Sequence, residues 1–172
     1  MVGDIQIFIT GGGNLPGIYT LNGNSHLLHA LNVAGGISEK GSFRSIDIKR
    51  NGETINTIDL YDALISGDTS FNVPLNSGDT IYVKPPEKLV RVSGALNNTG
   101  VFELLENENY SDLLRLTGGF SIDAKNRNEL ILNRILDGKY QESLIAISNL
   151  SNVSVKNGDI IYATKFNIGS IE

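Results

Sequence analysis

His26 and His29 stand three residues apart near the start of an apolar run, a spacing that places two imidazoles on one side of a helix where they could share a metal ion. They are the only two histidines and the chain has no cysteine, so any third ligand would be a carboxylate from elsewhere. A solvated or partly packed pair is the simpler reading. Gly11-Gly12-Gly13 and Gly35-Gly36 could bring backbone amides to a phosphate, but no Gly-Lys-Ser/Thr follows and the strand, Gly-x-Gly-x-x-Gly, helix pattern is not met. They read as turns. Serines are plentiful, yet the nucleophile-elbow pattern Gly-x-Ser-x-Gly does not occur. Asp79 and Asp159 each follow a glycine and recur in matching places, as catalytic acids sometimes do; an aspartate there more often bonds its own turn. No catalytic residue, metal ligand or cofactor is therefore expected. Six tyrosines and no tryptophan leave a loose sugar-facing surface as the remaining chemistry. The candidate contacts lie in two loops, Gly11 to Pro16 and Gly94 to Thr99, at Gly12, Gly13, Asn14, Asn97 and Asn98, with Tyr19 beside them.

These residues have to be held by something, and the holding elements are written twice. Leu27, Ala30, Leu31 and Ala34 stand at i, i+3, i+4 and i+7 before Gly35-Gly36, one apolar stripe on a short helix stopped by glycine. Tyr110, Leu113, Leu114 and Thr117 before Gly118-Gly119 repeat it. Ile7, Gly11, Gly17 and Gly36 are answered by Val90, Gly94, Gly100 and Gly119, each 83 residues on. Ile5, Ile7 and Ile9 alternate as in a strand, and the short loop to Gly17-Ile18-Tyr19-Thr20-Leu21 predicts an antiparallel pair. After the helix, strands run into Asn51-Gly52 and Asp137-Gly138, both strong hairpin signals. The second copy has gained about three residues before its hairpin, by the shift in spacing of these turns. Beyond it, Ile58 to Asp68 reads as a strand end and a helical turn, and each copy closes with Gly-Asp and a buried strand: Gly78-Asp79-Thr80-Ile81-Tyr82-Val83, and Gly158-Asp159-Ile160-Ile161-Tyr162-Ala163. Strand, strand, helix, strand, strand, strand, with the helix across one face of a mixed sheet, is the β-grasp arrangement. The expected class is α+β, as two tandem β-grasp domains, each a small mixed sheet crossed by one helix. The domains are 1–86 and 87–166, hinged at Pro85-Pro86, with 167–172 a tail toward a further part.

Composition narrows the partners. The formal net charge is -5, with 5 basic against 8 acidic residues up to Pro86 and 9 against 11 after it. Neither half has the basic excess that a phosphate backbone requires, so nucleic acid is not an expected partner. Cysteine-free composition fits an oxidising or a reducing compartment. Met1-Val2-Gly3-Asp4 has no secretion-signal character, and no run of about 18 apolar residues occurs, so the reading is an excised piece of a longer protein.

The phrases Pro16-Gly17-Ile18-Tyr19, Ala30-Leu31-Asn32-Val33-Ala34-Gly35-Gly36, Asp59-Leu60-Tyr61-Asp62 and Leu75 to Val83, in that order, resemble the soluble-ligand-binding β-grasp domain. The likeness is to the tandem copies in bacterial outer-membrane polysaccharide export proteins. It spans nearly all of residues 5–166, although the second copy has no proline before Gly100 and has Thr117 where alanine is usual. The resemblance implies a non-enzymatic periplasmic module, associated with the outer membrane through parts absent from this chain. Its implied partners are copies of itself in a ring, the exported polysaccharide and the inner-membrane export machinery. Two further readings are a module that binds a small soluble ligand or oligosaccharide through the glycine-rich loops, and a hydrolase or lyase acting on the same polymer.

Overall fold

The computed structural model describes residues 3–166, and the chain divides between Pro86 and Glu87 into two compact units. The expected tail 167–172 lies outside the described residues.

In unit 1, β1 (Asp4–Gly11) and β2 (Gly17–Asn22) form the opening antiparallel hairpin, followed by α1 (Leu27–Val33), β3 (Ile46–Arg50), β4 (Glu53–Ile58), α2 (Tyr61–Ser66) and β5 (Thr80–Val83). The sheet runs β2-β1-β5-β3-β4, with β5 parallel to β1 and antiparallel to β3. The last strand is thus the central one, which is why Ile81 and Val83 are fully buried. Leu27, Ala30, Leu31 and Ala34 are all buried in one cluster with Ile7, Ile9, Ile46, Ile48 and Ile81, as the helical stripe requires. Each fully covered Leu or Ile contributes about 1.5–3 kcal/mol.

Unit 2 repeats the plan with β6 (Lys88–Gly94), β7 (Gly100–Leu104), α3 (Tyr110–Leu116), β8 (Glu129–Leu136), β9 (Lys139–Ala146), a 3-10 helix (Ile147–Asn152) and β10 (Ile160–Ala163). Its order, β7-β6-β10-β8-β9, is the same order again. The α+β class and the mixed sheets are those the residues predicted, and the helical turn after β4 adds α2, a second short helix in unit 1. The stripe expected in α3 is covered at Tyr110, Leu113 and Thr117, but Leu114 is half-buried and Leu116 is buried instead. A second neighbour explains the shift, since α3 also packs against the 3-10 helix.

Turn chemistry fixes the edges. Asn51 and Gly52 have φ of 54° and 82°, and Asp137 and Gly138 have 51° and 79°, the double left-handed turn that matches strand twist in a two-residue hairpin. Both crossing helices end in a Schellman motif: Gly36 N–H donates to Leu31 O at 2.8 Å and Gly119 N–H to Leu114 O at 3.0 Å.

Candidate functional site

The two Gly-Asp phrases end in buried carboxylates. Asp79 has no exposed surface, and its oxygens accept from Arg50 Nε at 2.8 Å, Arg50 Nη2 at 2.9 Å and the Asn76 amide at 2.8 Å. Asp159 accepts from Arg134 Nε at 3.0 Å, Arg134 Nη2 at 2.8 Å, the Lys156 amide at 3.0 Å and the Tyr110 hydroxyl. Burial pushes each carboxyl up, but the guanidinium and the other donors outweigh it and hold both below the usual carboxylate range. Burial, and then the adjoining carboxylate, push the Tyr110 hydroxyl well above the ordinary tyrosine range. The turn reading of both aspartates is correct, since each binds an amide three residues back. The arginines are what the sequence reading missed. Arg50 and Arg134 stand 84 residues apart, at matching places in the repeat, and that recurrence was the available signal. Both oxygens of each carboxylate accept bonds that hold the closing turn against β3 or β8, so these carboxylates are structural clamps.

The glycine-rich loops are tied to their own units, while Asn14, Asn97 and Asn98 stay exposed. Gly12 lies against the backbone of Gly41, where an added Cβ would come within 2.4 Å of its Cα, and Gly13 is buried and bridged to Ile37. Asn14 donates its backbone N–H to Gly36 O at 3.0 Å, and the half-buried Tyr19 gives its hydroxyl proton to Leu15 O. In unit 2, Asn97 donates Nδ2 to Gly118 O at 2.8 Å and Asn98 donates Nδ2 to Thr117 O at 3.2 Å. Asn14 in unit 1 and Asn97 and Asn98 in unit 2 therefore lace the first turn of each unit onto the end of its crossing helix. Tyr82 and Tyr162 also serve the backbone: their rings lie over Gly11 and Gly94, both at positive φ, where a Cβ would stand within 3 Å of the ring.

The histidines stand apart from this pattern. His26 and His29 line an open groove of about 510 Å³ with Asn22, Asn24, Ser25, Leu28, Asn32 and Asn72. His26 is the N-cap residue of α1 but its side chain makes no cap bond; Asn72 supplies it by accepting from the amide of Leu28, 44 residues before it, at 2.8 Å. Among the described residues, no group of three or more His, Asp or Glu is placed to hold a metal ion.

Residues 6–83 match the SLBB domain, and residues 89–141 match it again. The chain belongs to the SLBB-domain family. The second SLBB match ends within β9, whereas the fold repeats through β10 and its Gly158-Asp159 turn. This SLBB chain is 33% identical over 103 residues to the polysialic acid transport protein KpsD of Escherichia coli, covering 59% of this chain. A second KpsD sequence of the same species matches to the same extent. The alignment spans 18% of the length of these relatives. Among the described residues of the SLBB chain, no helix is long and apolar enough to cross a membrane.

Proposed function

We propose that this chain is a non-enzymatic module of a polysaccharide-export assembly, working in the periplasm at the outer membrane and supplying subunit contacts and passage lining. One observation carries the reading: two SLBB units in tandem, in a chain aligned to a polysaccharide transport protein. The geometry supports it, because the carboxylates that recur are held in clamps and the loop asparagines of unit 2, Asn97 and Asn98, are spent on helix-end carbonyls. Such parts build a rigid spacer.

Subunit contact has a physical candidate in unit 2, whose second hairpin is longer. Ile135, Tyr140 and Leu144 are 52%, 55% and 60% exposed; Ile135 pairs with Tyr140 across the strands, and Leu144 belongs to the sheet's edge strand β9. An unpaired strand edge that carries exposed apolar side chains is a ready template for a neighbouring copy. The partners in this proposal are further copies in a ring, the polymer itself and the inner-membrane export machinery.

The test is the native mass of the full-length parent, expected as a closed ring that Leu144→Glu weakens. A monomeric parent contradicts it. The purified chain incubated with the exported polymer should release no new reducing ends, and their appearance would overturn the non-enzymatic part.

A further inference from the structure

In each unit the crossing helix covers one face of the sheet, and the two units dress the other face differently. In unit 1, Phe8 on β1 pairs with Ile18 on β2 and with Thr80 on β5, and the second hairpin sets Thr54 opposite Lys49. In unit 2 the same register sets Arg91 against Val101 and Ile160, with Tyr140 opposite Ile135. Arg91 stands 83 residues after Phe8, and Tyr140 stands 86 residues after Thr54. Unit 2 thus has a guanidinium and a phenol where unit 1 has a phenyl ring and a threonine.

Arg91 and Tyr140 line one cavity of about 290 Å³, together with Leu89, Val101, Ile160 and the Gly158 turn. The space over that turn is open, since an added Cβ at Gly158 would meet nothing within 4 Å. Arg91, Tyr140 and Val101 are exposed, while Leu89 and Ile160 are half-buried and give the cavity an apolar floor. Among the described residues, the Arg91 guanidinium has no ion pair and the Tyr140 hydroxyl no hydrogen-bond partner. The one acid in the lining is Asp159, and Arg134 already meets its charge at 2.8 Å. The uncommitted charge in this cavity is therefore positive.

We infer that this cavity of unit 2 takes one residue of an acidic saccharide, its carboxylate or phosphate on the Arg91 guanidinium and the apolar face of its ring against Tyr140 and Val101. A guanidinium presents paired N–H donors in one plane, the geometry that binds two oxygens of a carboxylate or phosphate at once. An exposed tyrosine adds a flat apolar surface with a hydroxyl at its rim, which suits a sugar's mixed faces. A neighbouring copy added along the free edge of β9 extends the sheet in its own plane and leaves this face open, so the site and the subunit contact are compatible. The inference rests on the polysaccharide-export reading and names the polymer class for it.

The test titrates the full chain with tetragalacturonate, with mannose 6-phosphate, with neutral maltotetraose and with inorganic phosphate, following the Arg91 Nε–H and Tyr140 ring NMR signals. An acidic saccharide should shift both signals saturably, bind about tenfold tighter than maltotetraose, and weaken as salt is added. Saturation by tetragalacturonate assigns the site to a carboxylate, and saturation by mannose 6-phosphate assigns it to a phosphate. The double variant Arg91→Phe/Tyr140→Thr installs the residues that unit 1 carries at the same register; both suit a strand, so loss of binding there is not loss of fold, and an unchanged denaturation midpoint checks this. A tenfold or greater loss is expected. No saturable shift, equal binding of maltotetraose, inorganic phosphate binding as tightly as the acidic saccharides, or full binding by the double variant overturns the inference. Binding absent while deletion of the parent still abolishes surface polymer rejects this site and keeps the export reading; binding present with normal surface polymer in the deletion strain does the reverse.

Discussion

The two units share a sheet order, a Schellman end to the crossing helix and a buried Asp–Arg clamp, and they part company at the helix start. Unit 2 begins α3 with a self-contained capping box and places Tyr110 so that its hydroxyl adds a bond to Asp159. Unit 1 has Leu27 at the Tyr110 position, two histidines at the box positions, and a cap delivered from Asn72. The difference separates what the fold demands from what it leaves open. The clamp and the glycine turns close the sheet and recur; the helix start can be satisfied in more than one way, and unit 1 uses that freedom to put imidazoles on the surface.

The largest effect should fall where the units are most alike. At Gly11 and Gly94 an added Cβ would lie 2.2 Å from Val83 O and 2.1 Å from Ala163 O, at φ of 81° and 86°. Alanine at either position should cost about 4 kcal/mol, from the left-handed backbone and the collision with main chain together. Chemical denaturation with hydrogen exchange resolving the units measures it, and a tolerated alanine in either unit would break the parallel.

Next come the clamps. Asp159→Asn should cost about 3 kcal/mol, because Arg134 and Tyr110 lose a buried anion. Asp79→Asn should cost less, since Arg50 is 32% exposed and regains water. The pH dependence follows in sign: both carboxyls are held low in the folded state, so their contribution is complete above the unfolded value of about 4 and disappears as pH falls through the folded value. Each Asn variant should therefore lose less stability on acidification than the parent chain, as read from denaturation midpoints between about pH 5 and about pH 2. Equal acid slopes would contradict the clamp.

Smaller effects sharpen the contrast at the helix start. Tyr110→Phe should cost about 1.5 kcal/mol, one hydrogen bond to a charged group. Asn109→Ala and Asn72→Ala should each cost about 1 kcal/mol, while His26→Ala should change stability by less than about 0.5 kcal/mol. A His26→Ala loss as large as that of Asn109→Ala would mean that the histidine is structural after all.

What the sequence disclosed were the features local in the chain. The stripe from Leu27 to Ala34, the Asn51-Gly52 turn and the 83-residue echo all lie within one element or its exact repeat, so period and turn chemistry reached them. The clamp did not show, because Arg50 reaches Asp79 across 29 residues and Arg134 reaches Asp159 across 25, through strand pairings that no periodicity encodes. Asn72 capping α1 was hidden for the same reason. The loop residues Gly12, Gly13, Asn14, Tyr19, Asn97 and Asn98 were singled out for polarity and glycine content, which announce a tight turn without saying whether its donors face a ligand or the chain's own carbonyls.

The export role is tested most directly by quantifying polysaccharide outside and inside cells whose parent protein has lost this segment by in-frame deletion. The account predicts that surface polymer disappears and polymer of unchanged chain length accumulates within. Normal surface polymer, or a product of altered chain length, would contradict it.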